Sequence, residues 1–71
     1  MKVKDLFDFY YKDLFRLIIE YRDSANYFIQ ECRYEDYDIF LKYDSCKDKI
    51  IHHWFITRDG ADNKIVIVLE D

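Results

Sequence analysis

Two histidines and two cysteines are the side chains here that could bind a transition metal. His52 and His53 are adjacent, whereas Cys32 and Cys46 lie far apart in the chain. Structural zinc sites usually contain closely spaced ligand pairs, and neighbouring residues of a strand point to opposite faces. We therefore expect at most one histidine to join the two thiols, and we predict that no metal or cofactor is required.

Cys46 lies among charged residues, in the segment Asp44–Asp48. A cysteine nucleophile needs a histidine base and an orienting acid. The acids of this segment raise a thiol pKa, although Lys47 acts in the opposite direction. The chain also has no nucleophile elbow, no glycine-rich phosphate loop and no HExxH motif. We predict that the protein is not an enzyme.

The segment from Glu31 to Asp44 combines carboxylates with tyrosines. Tyrosine offers a large contact area at low entropic cost, and carboxylates beside it suit a basic partner surface. In the alternative interpretation, the tyrosines are half-buried in the core and the acids only keep the protein soluble. The predicted partner-binding residues are Glu31, Tyr34, Glu35, Asp36, Tyr37, Asp38, Tyr43 and Asp44.

The composition of the chain favours a folded, acidic domain. Its 71 residues are 51% hydrophobic and 20% aromatic, with one glycine, no proline and a formal charge of −4 at pH 7. This composition excludes a disordered, collagen-like or disulfide-rich chain. The bases are scattered among acids, so we expect no direct binding to nucleic-acid phosphates.

The N-terminus resembles neither a signal peptide nor a membrane anchor. Acids at Asp5, Asp8 and Asp13 interrupt the apolar residues that follow Met1. The uncharged runs are much shorter than the roughly 20 residues that span a bilayer. We expect a cytoplasmic protein with reduced cysteines and no membrane association.

Hydrophobic periodicity predicts two helices and four strands. The first helix follows from the 3- and 4-residue spacing of Val3, Leu6, Phe7, Tyr10 and Leu14. The first hairpin is predicted as a strand over Phe15–Arg22, a turn over Asp23–Asn26 and a strand over Tyr27–Tyr34. A short helix opened by Glu35 and Asp36 follows. The chain then continues with a strand over Lys49–Thr57, a loop over Arg58–Asn63 and a strand over Lys64–Leu69.

These segments predict a single domain spanning residues 1–71, with α+β architecture and the order α-β-β-α-β-β. We expect an antiparallel sheet of about four strands with the helices on one face. The Ile65–Leu69 run is apolar on both faces, which indicates a central strand or an edge strand that pairs with a second copy as a homodimer. The predicted core contains Leu6, Tyr10, Leu17, Ile19, Phe40, Trp54, Ile65 and Ile67.

The layout resembles short accessory proteins of phages and mobile elements. The features that carry the resemblance are the opening helix with Val3–Leu6, the Leu17–Glu20 strand and the closing hairpin from Trp54–Ile56 to Ile65–Val68. Small acidic anti-CRISPR proteins and other inhibitors of bacterial defence are similar in size, charge and α+β composition. The resemblance implies a non-catalytic protein that occludes a nucleic-acid-binding or regulatory surface of a larger protein.

The expected function is therefore inhibition by protein binding, with the acidic, tyrosine-bearing segment placed against a basic surface such as that of a nucleic-acid-guided nuclease. Two alternatives stay open. One is a homo-oligomeric structural or regulatory subunit. The other is a small metal- or ligand-binding module built on Cys32, Cys46, His52 and His53.

Overall fold

The structure, a computed structural model, describes residues 1–14, 17–33 and 36–70, and for residues 10–14 it describes the backbone. The elements are α1 (Val3–Leu14), β1 (Ile18–Arg22), β2 (Phe28–Cys32), α2 (Asp38–Cys46), β3 (Ile51–Asp59) and β4 (Asp62–Leu69). Their order confirms the predicted α-β-β-α-β-β arrangement of an α+β domain. Neither helix in the described ranges is long and apolar enough to cross a membrane.

The four strands form one mixed sheet in the order β2-β1-β4-β3. The hairpins β1/β2 and β3/β4 are antiparallel, whereas β1 and β4 are parallel, with Ile19 beside Ile65 and Tyr21 beside Ile67. The prediction of a fully antiparallel sheet is therefore wrong at its central pair. Hairpin pairing is local, but the connection through α2 determines which strand of the second hairpin meets β1, and in which direction.

Both helices pack against one face of this sheet. The buried cluster contains Val3, Leu6 and Phe7 of α1 with Ile39 and Cys46 of α2. The sheet contributes the alternating residues of β1 and β4, together with one residue each from β2 and β3; these are Ile19, Tyr21, Ile65, Ile67, Leu69, Cys32 and Ile51. The two helices therefore share one core, as predicted for helices on one face.

Most of the predicted core is confirmed. Leu6, Ile19, Ile65 and Ile67 are buried, and Leu17 and Trp54 are partly buried against the same cluster. Phe40 was wrongly predicted, since its side chain is 48% exposed. It lies on the outward side of α2 because Ile39 and Cys46 occupy the inward side. The side chain of Tyr10 lies outside the described residues.

The Ile65–Leu69 run lies in β4, which is hydrogen-bonded to β1 on one edge and to β3 on the other. The interpretation of this run as a central strand is therefore correct, and all five residues are buried. The backbone groups on both edges of β4 are therefore already paired with strands of the same chain. A homodimer paired through Ile65–Leu69 would have to break one of these two pairings, and self-association of the protein stays a prediction.

The β3/β4 connection is shorter than predicted. Strand pairing continues to Asp59 and Asp62, which leaves a two-residue turn of Gly60 and Ala61 instead of a loop over 58–63. Gly60 has φ 65°, a positive value that glycine adopts without steric cost and that the favoured two-residue hairpin turns require at their first position. The tight turn extends β3 to nine residues and fixes its register against β4.

Replacing one buried and one exposed apolar residue tests the assignment of Ile67 to the core and of Phe40 to the surface. Ile67→Ala removes methyl groups from a fully buried site and should lower the free energy of unfolding by about 2–5 kcal/mol. Phe40→Ala should cost less than about 1 kcal/mol, because the ring is half exposed. Urea denaturation of both variants measures the difference. Equal losses would contradict the assignment of Phe40 to the surface.

Candidate protein-binding surface

The helix α2 has two different sides. Ile39 and Cys46 are buried against the sheet, and Tyr43 is half-buried with its ring centroid 4.6 Å from that of Phe7. These residues follow helical spacing, so one side of α2 is committed to the core. Tyr43 therefore belongs mainly to the packing of α1 on α2 and not to an exposed binding surface.

The opposite side of α2 and the residue preceding the helix expose large apolar side chains. Tyr37 is 72% exposed, Phe40 48% and Leu41 55%. They are three and four residues apart, so they lie on one side of the helical turn. The rings of Tyr37 and Phe40 contact each other with centroids 6.1 Å apart. Such a contiguous exposed patch on a small protein is typical of an interaction site.

Three exposed carboxylates lie next to this patch in the sequence. Asp36 precedes the helix, Asp38 lies in its first turn and Asp44 in its last. Asp44 pairs with Lys47 at 3.1 Å, whereas within the described ranges no basic side chain pairs with Asp36 or Asp38. We call the exposed set the α2 surface; its members are Asp36, Tyr37, Asp38, Phe40, Leu41 and Asp44.

The predicted partner-binding residues are thus divided by the fold. Asp36, Tyr37, Asp38 and Asp44 lie together on the α2 surface, whereas Glu31 and Tyr43 do not. Tyr34 and Glu35 fall outside the described residues. Phe40 and Leu41 were missed as surface residues, because the apolar residues of this segment do not follow one clean helical period. Their spacing of three and four from Tyr37 was the available signal.

Glu31 belongs to an ion cluster on the sheet face opposite the helices. It lies beside Glu20 across β1 and β2, an unfavourable position for two like charges. Lys64 offsets the repulsion between these two carboxylates, since its Nζ lies 2.7 Å from Glu20 and 3.1 Å from Glu31. The Nε of Arg22 also donates to Glu20. Glu31 therefore stabilises the sheet instead of extending the α2 surface.

The electrostatics of Glu20 follow from this cluster. Burial raises the pKa of Glu20, but the hydrogen bonds from Lys64 and Arg22 outweigh burial and hold the pKa below its usual value of 4.5. The same hydrogen bond from Lys64 to Glu20 raises the lysine pKa above 10.5, against the opposing effect of burial. The charged forms of both residues are therefore favoured at neutral pH.

The cysteines and histidines do not converge on one site. Cys32 and Cys46 are both buried in the core, and burial raises the pKa of each thiol. His52 and His53 lie on the exposed β3 instead. Among the described residues, no three His, Cys, Asp or Glu side chains are arranged to hold a metal ion.

The histidine pair differs from the expectation of opposite faces. The Nδ1 atoms of His52 and His53 are 2.7 Å apart, with ring centroids 4.9 Å apart. A register shift between Ile51 and His53 interrupts the alternation of the strand and brings the two rings together.

Comparison of the chain with protein-family models, curated proteins and solved structures finds no match. The functional interpretation therefore depends on the residues and contacts of this chain.

The ion cluster gives a pH-dependent prediction. Glu20→Gln should lower the free energy of unfolding at pH 7 by about 2 kcal/mol, since it removes charged partners from Lys64 and Arg22. Because the folded-state pKa of Glu20 lies below 4.5, its stabilisation is present above that pH and is lost as the pH falls through the folded-state pKa. The difference in free energy of unfolding between Glu20→Gln and the wild type should therefore become smaller at acidic pH. Urea denaturation at each pH measures it.

Asp48→Asn is the matched control, because Asp48 pairs with Lys4 in a largely exposed position. It should cost less than about 1 kcal/mol at either pH. A Glu20→Gln deficit that stays constant from pH 7 into acid would show that the ionised carboxylate is not the source of the stabilisation.

Proposed function

We propose that this protein is a non-catalytic binding module whose α2 surface docks on a basic surface of a larger protein. The observation that carries the proposal is the exposed stripe of Tyr37, Phe40 and Leu41 with exposed acids next to it in the sequence. The stripe lies on a helix whose other side is fixed in the core. A rigid support of this kind lowers the entropy lost on binding.

The composition of the α2 surface matches the anatomy of protein interfaces. Aromatic residues commonly supply the buried anchors of an interface, and charged residues occupy its rim. Here Tyr37 and Phe40 would be the anchors, with Asp36, Asp38 and Asp44 around them. Rim carboxylates increase the association rate with a basic partner and disfavour acidic ones.

The partner chemistry that fits is a patch of lysine and arginine with an apolar recess. Surfaces that bind nucleic-acid backbones have such basic patches, and carboxylates can occupy the positions of phosphates there. Occlusion of the nucleic-acid-binding or regulatory site of a bacterial defence nuclease is the specific form that we propose. The protein would act stoichiometrically, without chemistry of its own.

Charge reversal tests the electrostatic part of the proposal. Asp36→Lys combined with Asp38→Lys should abolish capture of the partner from a bacterial lysate by the immobilised protein. With the purified partner, the association rate at low salt should fall about tenfold or more, because long-range attraction is lost. Raising the ionic strength should slow the wild type in the same way.

The matched control is Asp48→Lys combined with Glu70→Lys, which makes the same change in net charge on exposed residues beyond the C-terminal end of α2. This control should change the rate less than about threefold, because neither residue belongs to the α2 surface. Binding that is indifferent to salt and to both double variants would refute the charge-based proposal.

Truncating an anchor tests the apolar part separately. Tyr37→Ala should weaken binding by about 2 kcal/mol, or roughly 30-fold in Kd, mainly through faster dissociation. It should leave the fold intact, since Tyr37 is 72% exposed. Surface plasmon resonance separates the two rates. An unchanged dissociation rate for Tyr37→Ala would exclude this residue from the interface.

A further inference from the structure

The strand β3 forms one edge of the sheet and has the features of a pairing site. Its inner edge bonds to β4, and no other named strand of the described chain lies beyond it. It is nine residues long, against five for the other edge strand, β2. It contains no lysine or proline, the residues that commonly protect a sheet edge, and Phe55 and Ile56 are exposed.

The register of the hairpin identifies the backbone groups at the outer edge of β3. In a two-residue turn the closing pair, Asp59 and Asp62, exchanges both hydrogen bonds. Bonded and non-bonded pairs then alternate along an antiparallel ladder. Phe55 and Thr57 therefore bond to β4, whereas the N–H and C=O groups of Ile56 and Arg58 point outward.

The chain's own N-terminus covers only the beginning of this edge. The backbone N–H of Ile51 donates to Met1 at 2.8 Å, and that of Val3 donates to Lys49 at 3.0 Å. The carbonyl of Ile50 points the other way and accepts from Glu70, the residue that follows β4. The first three residues thus lie along the outer edge at residues 49–51, and the edge beyond them is open.

We propose that a second copy of this chain pairs with the open part of β3, antiparallel and centred on Ile56. A two-fold axis perpendicular to the sheet leaves each side chain on the same face in both copies. Residues that lie opposite each other in an antiparallel pair also share a face, so one residue at the axis must lie opposite its own copy. With the axis at Ile56, residues 53–59 of the two copies pair. This is the longest register that leaves the N-terminal residues in place.

Other registers are less favourable. An axis at Trp54 or Phe55 would pair Ile51 of one copy with the second copy and displace Met1 from its hydrogen bond. An axis at Arg58 would place two guanidinium groups opposite each other, which is repulsive. An axis at Thr57 would set Phe55 against Asp59 and would shorten the paired segment.

The side chains in the Ile56 register are complementary. Ile56 meets its own copy at the axis, which covers a side chain that is 60% exposed in the single chain. Beside it, Trp54 faces Arg58 of the second copy, an arrangement suited to cation–π contact. On the other face of the sheet, His53 is opposite Asp59 and can donate a hydrogen bond to its carboxylate. The pairing would join two sheets into one of eight strands.

The first test measures the oligomeric state by sedimentation velocity over a range of protein concentrations. The wild type should shift from monomer towards dimer as concentration rises. Ile56→Pro should raise the dimer dissociation constant at least tenfold, because it removes a donor that points outward and not one that bonds β4. Ile56→Lys should do the same by placing two like charges at the axis.

Two control variants distinguish pairing at the β3 edge from unfolding and from nonspecific association. Ile56→Val keeps the N–H and an apolar branched side chain, and should dimerise like the wild type. Ile29→Lys puts the same charge on the other edge strand, β2, and should also leave the dimer unchanged. Far-UV circular dichroism and thermal melting establish that each variant is folded.

The second test fixes the register by disulfide formation. In a hydrogen-bonded antiparallel pair the two Cα atoms are about 5.5 Å apart, which a disulfide can bridge. Ile56→Cys should therefore form a covalent dimer on mild oxidation. Arg58→Cys should not, since the two copies of that residue are displaced by four positions, about 13 Å along the strand.

A wild-type mass that stays monomeric at all concentrations would overturn the inference. So would a dimer whose dissociation constant is the same in Ile56→Pro and Ile56→Lys as in the wild type, or one that Arg58→Cys cross-links as readily as Ile56→Cys. The outcome is independent of the proposed function, because the α2 surface and β3 have no residue in common.

Discussion

The parallel pairing of β1 with β4 is the contact on which the rest of this structure depends. It joins two hairpins that are distant in sequence and places Ile19 beside Ile65 at the centre of the core. It also brings Lys64 to the two carboxylates that β1 and β2 set against each other. With β4 in the centre, β3 is left at the edge, and α2 contacts β2 at the other side of the sheet.

Local pattern was sufficient to predict the elements, since each is formed by near neighbours in sequence. The order of helices and strands was predictable from periodicity, and the Asp23–Asn26 turn from its turn-forming residues. For Ile65–Leu69 the sequence left a central strand and a dimerising edge strand open, and the fold places the run at the centre of the sheet. The parallel central pair was not, because strand direction across a long connection has no signature in either strand. Phe40 was placed in the core because apolar residues crowd this helix, and hydrophobicity alone does not say which side faces the sheet.

For the candidate site, too, the sequence pattern could not show the tertiary surroundings of each acidic residue. Glu31 and Asp36 belong to one acidic stretch of sequence, yet the fold gives them different surroundings. Glu31 is neutralised by Lys64 and Arg33 on the sheet, so it adds little to a long-range field. Asp36 and Asp38 have no basic partner within the described ranges. Unpaired carboxylates contribute more to a long-range field than paired ones do, and which acids are unpaired depends on tertiary contacts that composition does not report.

The two proposed interaction surfaces would act together, because they lie at opposite edges of the same sheet. In an eight-stranded dimer joined at β3, each α2 surface would be separated from its copy by the width of both sheets, about 30–40 Å at roughly 4.8 Å per strand. A partner with repeated basic sites at that spacing would be bound at two points, and the second contact would be intramolecular. Modest affinity at each α2 surface would then suffice for long occupancy. Pairing of the edge strand would thereby contribute to binding without touching the partner.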